Sequence, residues 1–197
     1  MAPKVRITKS DIISAAIELI RRGGAEEINA RNIAATLGCS TQPIFSNFSS
    51  MEELEEEVYS SAYDIYLAFL QRDAENGNYP RYKSFGMSYI RFAKEERELF
   101  KLLFMRDRSG ESLKPTADFE ESVRMIMNAN GLSRESASLM HLELWSSVHG
   151  IATMLATSFL ELDGELISRM ITDMYNGLLS RHLSEGKNES NKNRRTD

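Results

Sequence analysis

The sequence predicts an all-α fold, with a three-helix head at the N-terminus and a larger helical body behind it. Three observations carry this. Apolar residues recur at three- and four-residue spacing through most of the 197 positions. Glycines, asparagines and Ser/Thr–acid pairs stand where helices start and stop. Alternating strand patterns are almost missing.

About 42% of residues are hydrophobic, enough to build a core. Cys39 is the single cysteine, so no internal disulfide forms and no cysteine cluster holds zinc. No cofactor or metal is expected. No apolar run reaches the ~20 residues of a membrane helix, and the chain reads as a cytoplasmic protein without a membrane partner. The net charge is −5, unevenly placed. Residues 1–50 hold Lys4, Arg6, Lys9, Arg21, Arg22 and Arg31 against Asp11, Glu18, Glu26 and Glu27, which leaves +2 there and −7 in the rest. A basic front on an acidic body fits a local nucleic-acid contact.

In "TKSDIISAAIELIRRGG", Ile12, Ala15, Ala16, Leu19 and Ile20 share one helical face. Thr8 and Asp11 have the spacing of a capping box, and Gly23 and Gly24 stop the helix. "NARNIAATLG" predicts a second, short helix capped by Asn29 and closed by Gly38. "CSTQPIFSNFSS" predicts a third, with Ser40 as cap, Pro43 in the first turn, and Ile44, Phe45 and Phe48 as apolar surface. Ser50 and Glu53 open a long fourth helix with Val58, Ala62, Ile65, Tyr66 and Phe69 inward, and its "EELEEE" reads as a solvated face. Further helices are predicted over 82–95, 96–105, 118–130, 133–160 and 163–183. Residues 184–197 offer nothing apolar to bury and predict a disordered tail.

The second and third helices are separated only by a turn at Gly38 and Cys39, the spacing of a helix-turn-helix. Such a motif sets the N-terminal residues of its second helix in the major groove of duplex DNA. Ser40, Thr41 and Gln42 are small or uncharged donors suited to phosphates or base edges, while Lys4, Arg6, Lys9 and Arg31 supply charge. Phe45 fits two roles, contact with a thymine methyl or sugar, and packing within the head. Cys39 reads as a buried, inert thiol.

The stretch from Asp11 to Tyr59 resembles the DNA-binding domain of TetR/AcrR-type transcriptional regulators. The resemblance covers roughly residues 7 to 60 and rests on Ala15-Ala16, Gly24, Ile33-Ala34, Leu37-Gly38, Ser40, Phe45, Phe48 and Glu53-Leu54 in family order. "LWSSVHGIATMLA", Leu144 to Ala156, is similar to the Trp-x-x-x-His-Gly segment of one subgroup. The resemblance implies a homodimer whose heads read a palindromic duplex operator and whose bodies bind a small effector that releases the DNA. Carried over by position, Arg31, Thr41, Gln42, Phe45 and Asn47 fall where the family touches DNA. Two positions depart from the family pattern: Phe45 stands where a tyrosine is usual, and Met51 where a lysine is usual. Neither can bond a phosphate.

In the body, aromatic and methionine density suits an apolar or aromatic effector. Tyr66, Tyr89, Phe92, Phe104, Met125, Trp145 and His149 are the candidate lining, with core packing as the plainer role for most of them. Leu155, Phe159, Ile167, Met170, Ile171, Met174 and Leu178, on the last two helices, are the candidate dimer interface. The Gly-x-Ser-x-Gly elbow, the phosphate-binding glycine loop and the His-Glu-x-x-His motif are all absent, so the chain reads as no enzyme. The function expected is a ligand-responsive repressor. The competing expectation is a DNA-bound organising or cell-division adaptor whose body binds a protein.

Overall fold

A computed structural model of the protein describes residues 6–107 and 117–193. Those residues form nine α-helices and no strand. They fall into two compact units: Met1–Arg72 with Phe92–Arg108, and Asp73–Arg91 with Ser109–Asp197.

The first unit is built on α1, Lys9–Gly23. Thr8 caps it through a complete capping box, in which the hydroxyl accepts from Asp11 N–H and the Asp11 carboxylate accepts from Thr8 N–H. Ile12, Ala15, Ala16, Ile17 and Ile20 are buried along one face. Gly24 ends the helix at φ 90°, a conformation that side chains rarely adopt. A 3-10 turn, Ala25–Glu27, leads to α2, Ala30–Thr36, whose cap Asn29 accepts from Asn32 N–H at 2.9 Å. Gly38, at φ 64°, reverses the chain, and Cys39 N–H closes the turn on the Ala34 carbonyl at 3.0 Å.

The next helix, α3, spans Gln42–Asn47. Thr41, not Ser40, is its N-cap, and its side chain makes no capping bond. Pro43 fills the first turn, where a missing amide costs nothing. Ile44 and Phe48, one turn apart, are buried and hold the helix down. Then comes α4, Met51–Glu75, with Leu54, Val58, Ala62 and Phe69 inward. The first unit also takes in the end of α5 (Arg81–Glu95) and all of α6 (Arg97–Phe104), whose Leu99, Phe100 and Leu103 are fully buried. Helix α1 packs on α2, α3 and α6.

The second unit packs α7 (Ala117–Asn130), α8 (Arg134–Ala156) and α9 (Gly164–Asn193). Val123, Ile126, Leu132, Ala137, Met140 and Leu144 form one core cluster. Two boundaries differ from the sequence expectation. Helix α8 stops at Ala156, four residues early. The bonds Ser158 N–H to Leu155 O (3.0 Å) and Phe159 N–H to Met154 O (2.9 Å) make a Schellman cap, with Ser158 at φ 56° in the place glycine usually takes. Helix α9 runs on to Asn193, so residues 184–193 are helical rather than a disordered tail. No proline interrupts them, and the helix, already nucleated upstream, needs only one hydrogen bond per added residue to continue.

Phe92 is fully buried and meets Tyr66 and Phe69 edge-on at 5.2 and 5.5 Å between ring centroids. Phe92→Ala is expected to cost roughly 3–5 kcal/mol of stability by urea denaturation, as large-to-small changes in packed cores do. Phe45→Ala, at a surface position, is expected to stay within about 0.5 kcal/mol of the parent.

Candidate nucleic-acid interface

Helix α3 sorts its side chains by rotation. Ile44 and Phe48 face inward at 1% and 2% exposure. Phe45, one residue on from Ile44, is 55% exposed and lies on the same face as Thr41 and Gln42, four and three residues before it. Ser46 turns its hydroxyl back to the Gln42 carbonyl at 2.9 Å. The outward face therefore holds Gln42 and Phe45, with half-buried Thr41 beside them and exposed Ser40 just ahead. Arg31 on α2 is exposed, as is Arg6 ahead of α1. Lys4 lies outside the described residues.

Two sequence candidates are directed inward instead. The Asn47 amide donates to Pro43 O at 2.7 Å and to Ile7 O at 3.5 Å, tying the segment before α1 to α3. Lys9 donates to Glu53 (3.1 Å) and Glu57 (3.4 Å) on α4, and its ammonium sits 4.7 Å from the Phe48 ring centre. Its charge is already matched within the head, so it offers a phosphate less than its exposure suggests. The signal for this was present in "EELEEE", whose Glu53 and Glu57 stand one turn apart on one face. Only the fold brings Lys9 over them. Cys39 is half-buried rather than buried.

Glu53 is the most heavily bonded of these groups. It accepts from the Ser49 hydroxyl (2.5 Å), from Ser49 N–H (2.7 Å) and from Lys9, so its reach is to Ser49, while Ser50 caps Glu53 N–H at 3.2 Å. The Ser49 hydroxyl, then the Ser49 amide, then Lys9 stabilise the ionised carboxylate and bring its pKa down to about 2 from the ordinary 4.5.

The effector candidates form two groups. Tyr66, Phe92 and Phe104 lie together in the first unit, with Tyr66 edge-on to both rings at 5.2 and 5.1 Å. In the second unit Tyr89 OH and His149 Nδ1 share a hydrogen bond of 2.9 Å, and Trp145 stacks on the His149 ring at 5.3 Å and 13°. Tyr82 and His141 make a similar pair at 2.8 Å, and burial pushes His141 below the usual histidine range. Met125 is half-buried on α7. A cleft of about 520 Å³ opens in the first unit, but Arg21, Arg22, Lys94, Glu95, Glu96, Arg97 and Glu98 line it, so it is charged rather than apolar.

Of the dimer candidates, Leu155, Ile167 and Ile171 are buried in the protomer's own core and have no surface to offer a partner. Met170 is half-buried; Met174 and Leu178 are half-buried and pack on the core cluster. Phe159 is 74% exposed. Leu139, Leu142 and Trp145 on α8 are also exposed.

Comparison with known proteins agrees with this geometry. Residues 12–58 match the family described as bacterial regulatory proteins, tetR family, and residues 82–174 match the tetracyclin repressor-like C-terminal domain. The chain is a TetR-family DNA-binding transcriptional regulator, of a family that is non-enzymatic and typically dimeric. Among solved structures, one of unknown function from Rhodococcus sp. RHA1 shares 19% identity over 91% of this chain and 100% of its own, at a TM-score of 0.71. A TetR family protein from Vibrio parahaemolyticus shares 19% over 86% and 97%, at 0.60. A member of the TetR family from Streptomyces coelicolor A3 shares 15% over 84% and 96%, at 0.57. At such identities these show the fold alone. No curated protein matches the chain significantly in sequence. No helix among the described residues is long and apolar enough to cross a membrane.

A pH consequence follows from Glu53. Its folded pKa lies below its unfolded value, so its contribution to stability is full above about pH 4.5 and is lost as pH falls through about 2. Melting temperature measured between pH 5 and pH 2 should fall less steeply for Glu53→Gln than for the parent. Parallel curves would assign the acid sensitivity to other carboxylates.

Proposed function

We propose that this regulator is a repressor that leaves a palindromic operator when its body binds a small apolar or aromatic effector, and that it acts in the cytoplasm. Residues 1–50 read the DNA; residues 51–183, with the continuation of α9, form the effector and dimer body. The observation that carries the DNA reading is the division of α3. Its inner side is anchored by Ile44 and Phe48, and its outer face is Gln42 and Phe45 with half-buried Thr41 beside them, none of them charged. A recognition helix needs such a face to approach base edges, while phosphate attraction comes from its flanks. Lys4, Arg6 and Arg31 supply that attraction.

The body's part of the proposal rests on the Tyr89–His149–Trp145 group, a polar handle beside an aromatic plate. Trp145 and His149 also carry the resemblance to the Trp-x-x-x-His-Gly subgroup. For the dimer, the exposed Leu139, Leu142 and Phe159 replace the buried residues as the surface that a second copy covers.

Selection of bound duplexes from a random pool with the purified protein tests the DNA reading, and a symmetric consensus is the expected result. On that consensus, Thr41→Ala and Gln42→Ala should each lose about 1–3 kcal/mol of discrimination against random DNA. Arg31→Ala should weaken binding to all sequences and lower the slope of log K against log salt by about one per head. Lys9→Ala should leave that slope nearly unchanged, because Glu53 and Glu57 already hold its charge. An equal loss of slope in both variants would show that Lys9 leaves its carboxylates for phosphate.

The dimer face is checked by sedimentation. Leu142→Glu combined with Phe159→Glu should give a folded monomer at micromolar concentration, with helicity unchanged. An intact dimer would remove both residues from the interface.

A further inference from the structure

From the geometry of α3 we infer that Phe45 reads thymine: its ring packs against the C5-methyl group of one thymine in each half-site of the operator. The inference rests on the DNA reading proposed above and adds the base and the chemical group that are recognised.

The argument begins with what α3 lacks. It holds no charged residue, and two of its polar side chains are already bonded to its own backbone, Ser46 to Gln42 O and Asn47 to Pro43 O. What remains outward is Gln42, the half-buried Thr41 beside it, and a bare aromatic ring. Phe45 is 55% exposed on a helix whose neighbouring apolar residues, Ile44 and Phe48, are almost fully buried. Packing within the head is thus provided without it. A single exposed apolar residue is ordinary on a protein surface. Its position makes this one informative, because it shares the groove-facing side with the two residues best placed to bond base edges.

Duplex DNA offers few apolar groups to such a ring. Phosphates favour a hydroxyl, an amide or a cation, and Phe45 has none of these. The edges of adenine, guanine and cytosine in the major groove are hydrogen-bonding donors and acceptors. Thymine alone presents a methyl group there. A phenyl ring set in the major groove therefore gains most by covering that methyl, and it loses by desolvating a donor or acceptor it cannot satisfy. Selectivity then has two sources, attraction to thymine and a penalty at the other bases.

Burial of one methyl-sized group corresponds to about fourfold in affinity, and two heads acting together to about fifteenfold. The test uses the full-length protein and the duplex selected from the random pool. That duplex is resynthesised with deoxyuridine in place of thymine, one symmetric pair of positions at a time; uracil pairs identically and lacks only the methyl. At one pair, replacement should weaken parent binding about fifteenfold. Phe45→Ala should bind the thymine and uracil duplexes equally, at about the parent's affinity for uracil. Phe45→Leu should keep part of the thymine preference. Unchanged melting of both variants would exclude a folding defect as the cause. If no position distinguishes thymine from uracil, or if Phe45→Ala keeps the distinction, the inference is overturned while the DNA reading stands. If the pool yields no preferred sequence, the DNA reading fails and the inference fails with it.

Discussion

Burial of one face of α1 is the constraint on which the first unit depends. Ile12, Ala16 and Ile20 are fully enclosed, and the helices that enclose α1 include α2, α3 and α6. A face that apolar must be covered, at about 25 cal/mol for each Å² removed from water. The short helices α2 and α3, of seven and six residues, are too brief to be stable alone. They persist because Ile33, Ala34, Ile44 and Phe48 are buried in the same core. Their shortness has a use. With Ile44 in α3 and Phe48 at its end as anchors, Gln42, Phe45 and Ser46 stay exposed.

Polar bonding then decides which outward groups remain available. Lys9, Asn47, Ser46 and Glu53 all have side chains fit for DNA or solvent, and all are bonded within the head. Lys9 and Asn47 tie the start of α1 to α4 and α3, and Glu53 gathers Ser49 and Lys9 at the head of α4. A second tie joins α1 to α6, where Arg21 reaches both Glu96 oxygens at 2.9 Å. Its partial exposure limits its energetic weight. Its fixed, two-bond geometry still orients α6 against α1. These bonds hold the polar groups within the head and leave the exposed face of α3 to uncharged side chains.

The second unit follows a different rule. Its core at α7 and α8 is aliphatic, with Met140 as its one buried methionine in that cluster, while α5 meets α8 through tyrosine–histidine pairs. Gly86 lies between the two pairs on α5. A Cβ there would stand 3.4 Å from Val148 and 3.8 Å from Ile171, ordinary contact that shows how closely α5 approaches α8 and α9. The half-buried His141 and His149, bonded to tyrosine hydroxyls, satisfy polar atoms that would otherwise be costly in such a place.

Much of this protein was legible in its sequence. Helical periodicity, the Thr8–Asp11 box, the Asn29 cap, the Gly38 turn and the early Pro43 are local features, governed by neighbours a few residues away. They determined the helices of the head and the spacing between them. The ordered pattern from Asp11 to Tyr59 was enough to name the family. What the sequence alone could not assign was the fate of individual side chains, because that depends on partners distant along the chain. Lys9 meets carboxylates 44 and 48 positions away, and Asn47 meets a carbonyl 40 positions before it. Leu155, Ile167 and Ile171 have the composition of an interface, but tertiary packing encloses them within one chain. Phe45 and Phe48 are the same residue three positions apart, and only the packing of α3 and its C-cap within the head made one core and the other surface.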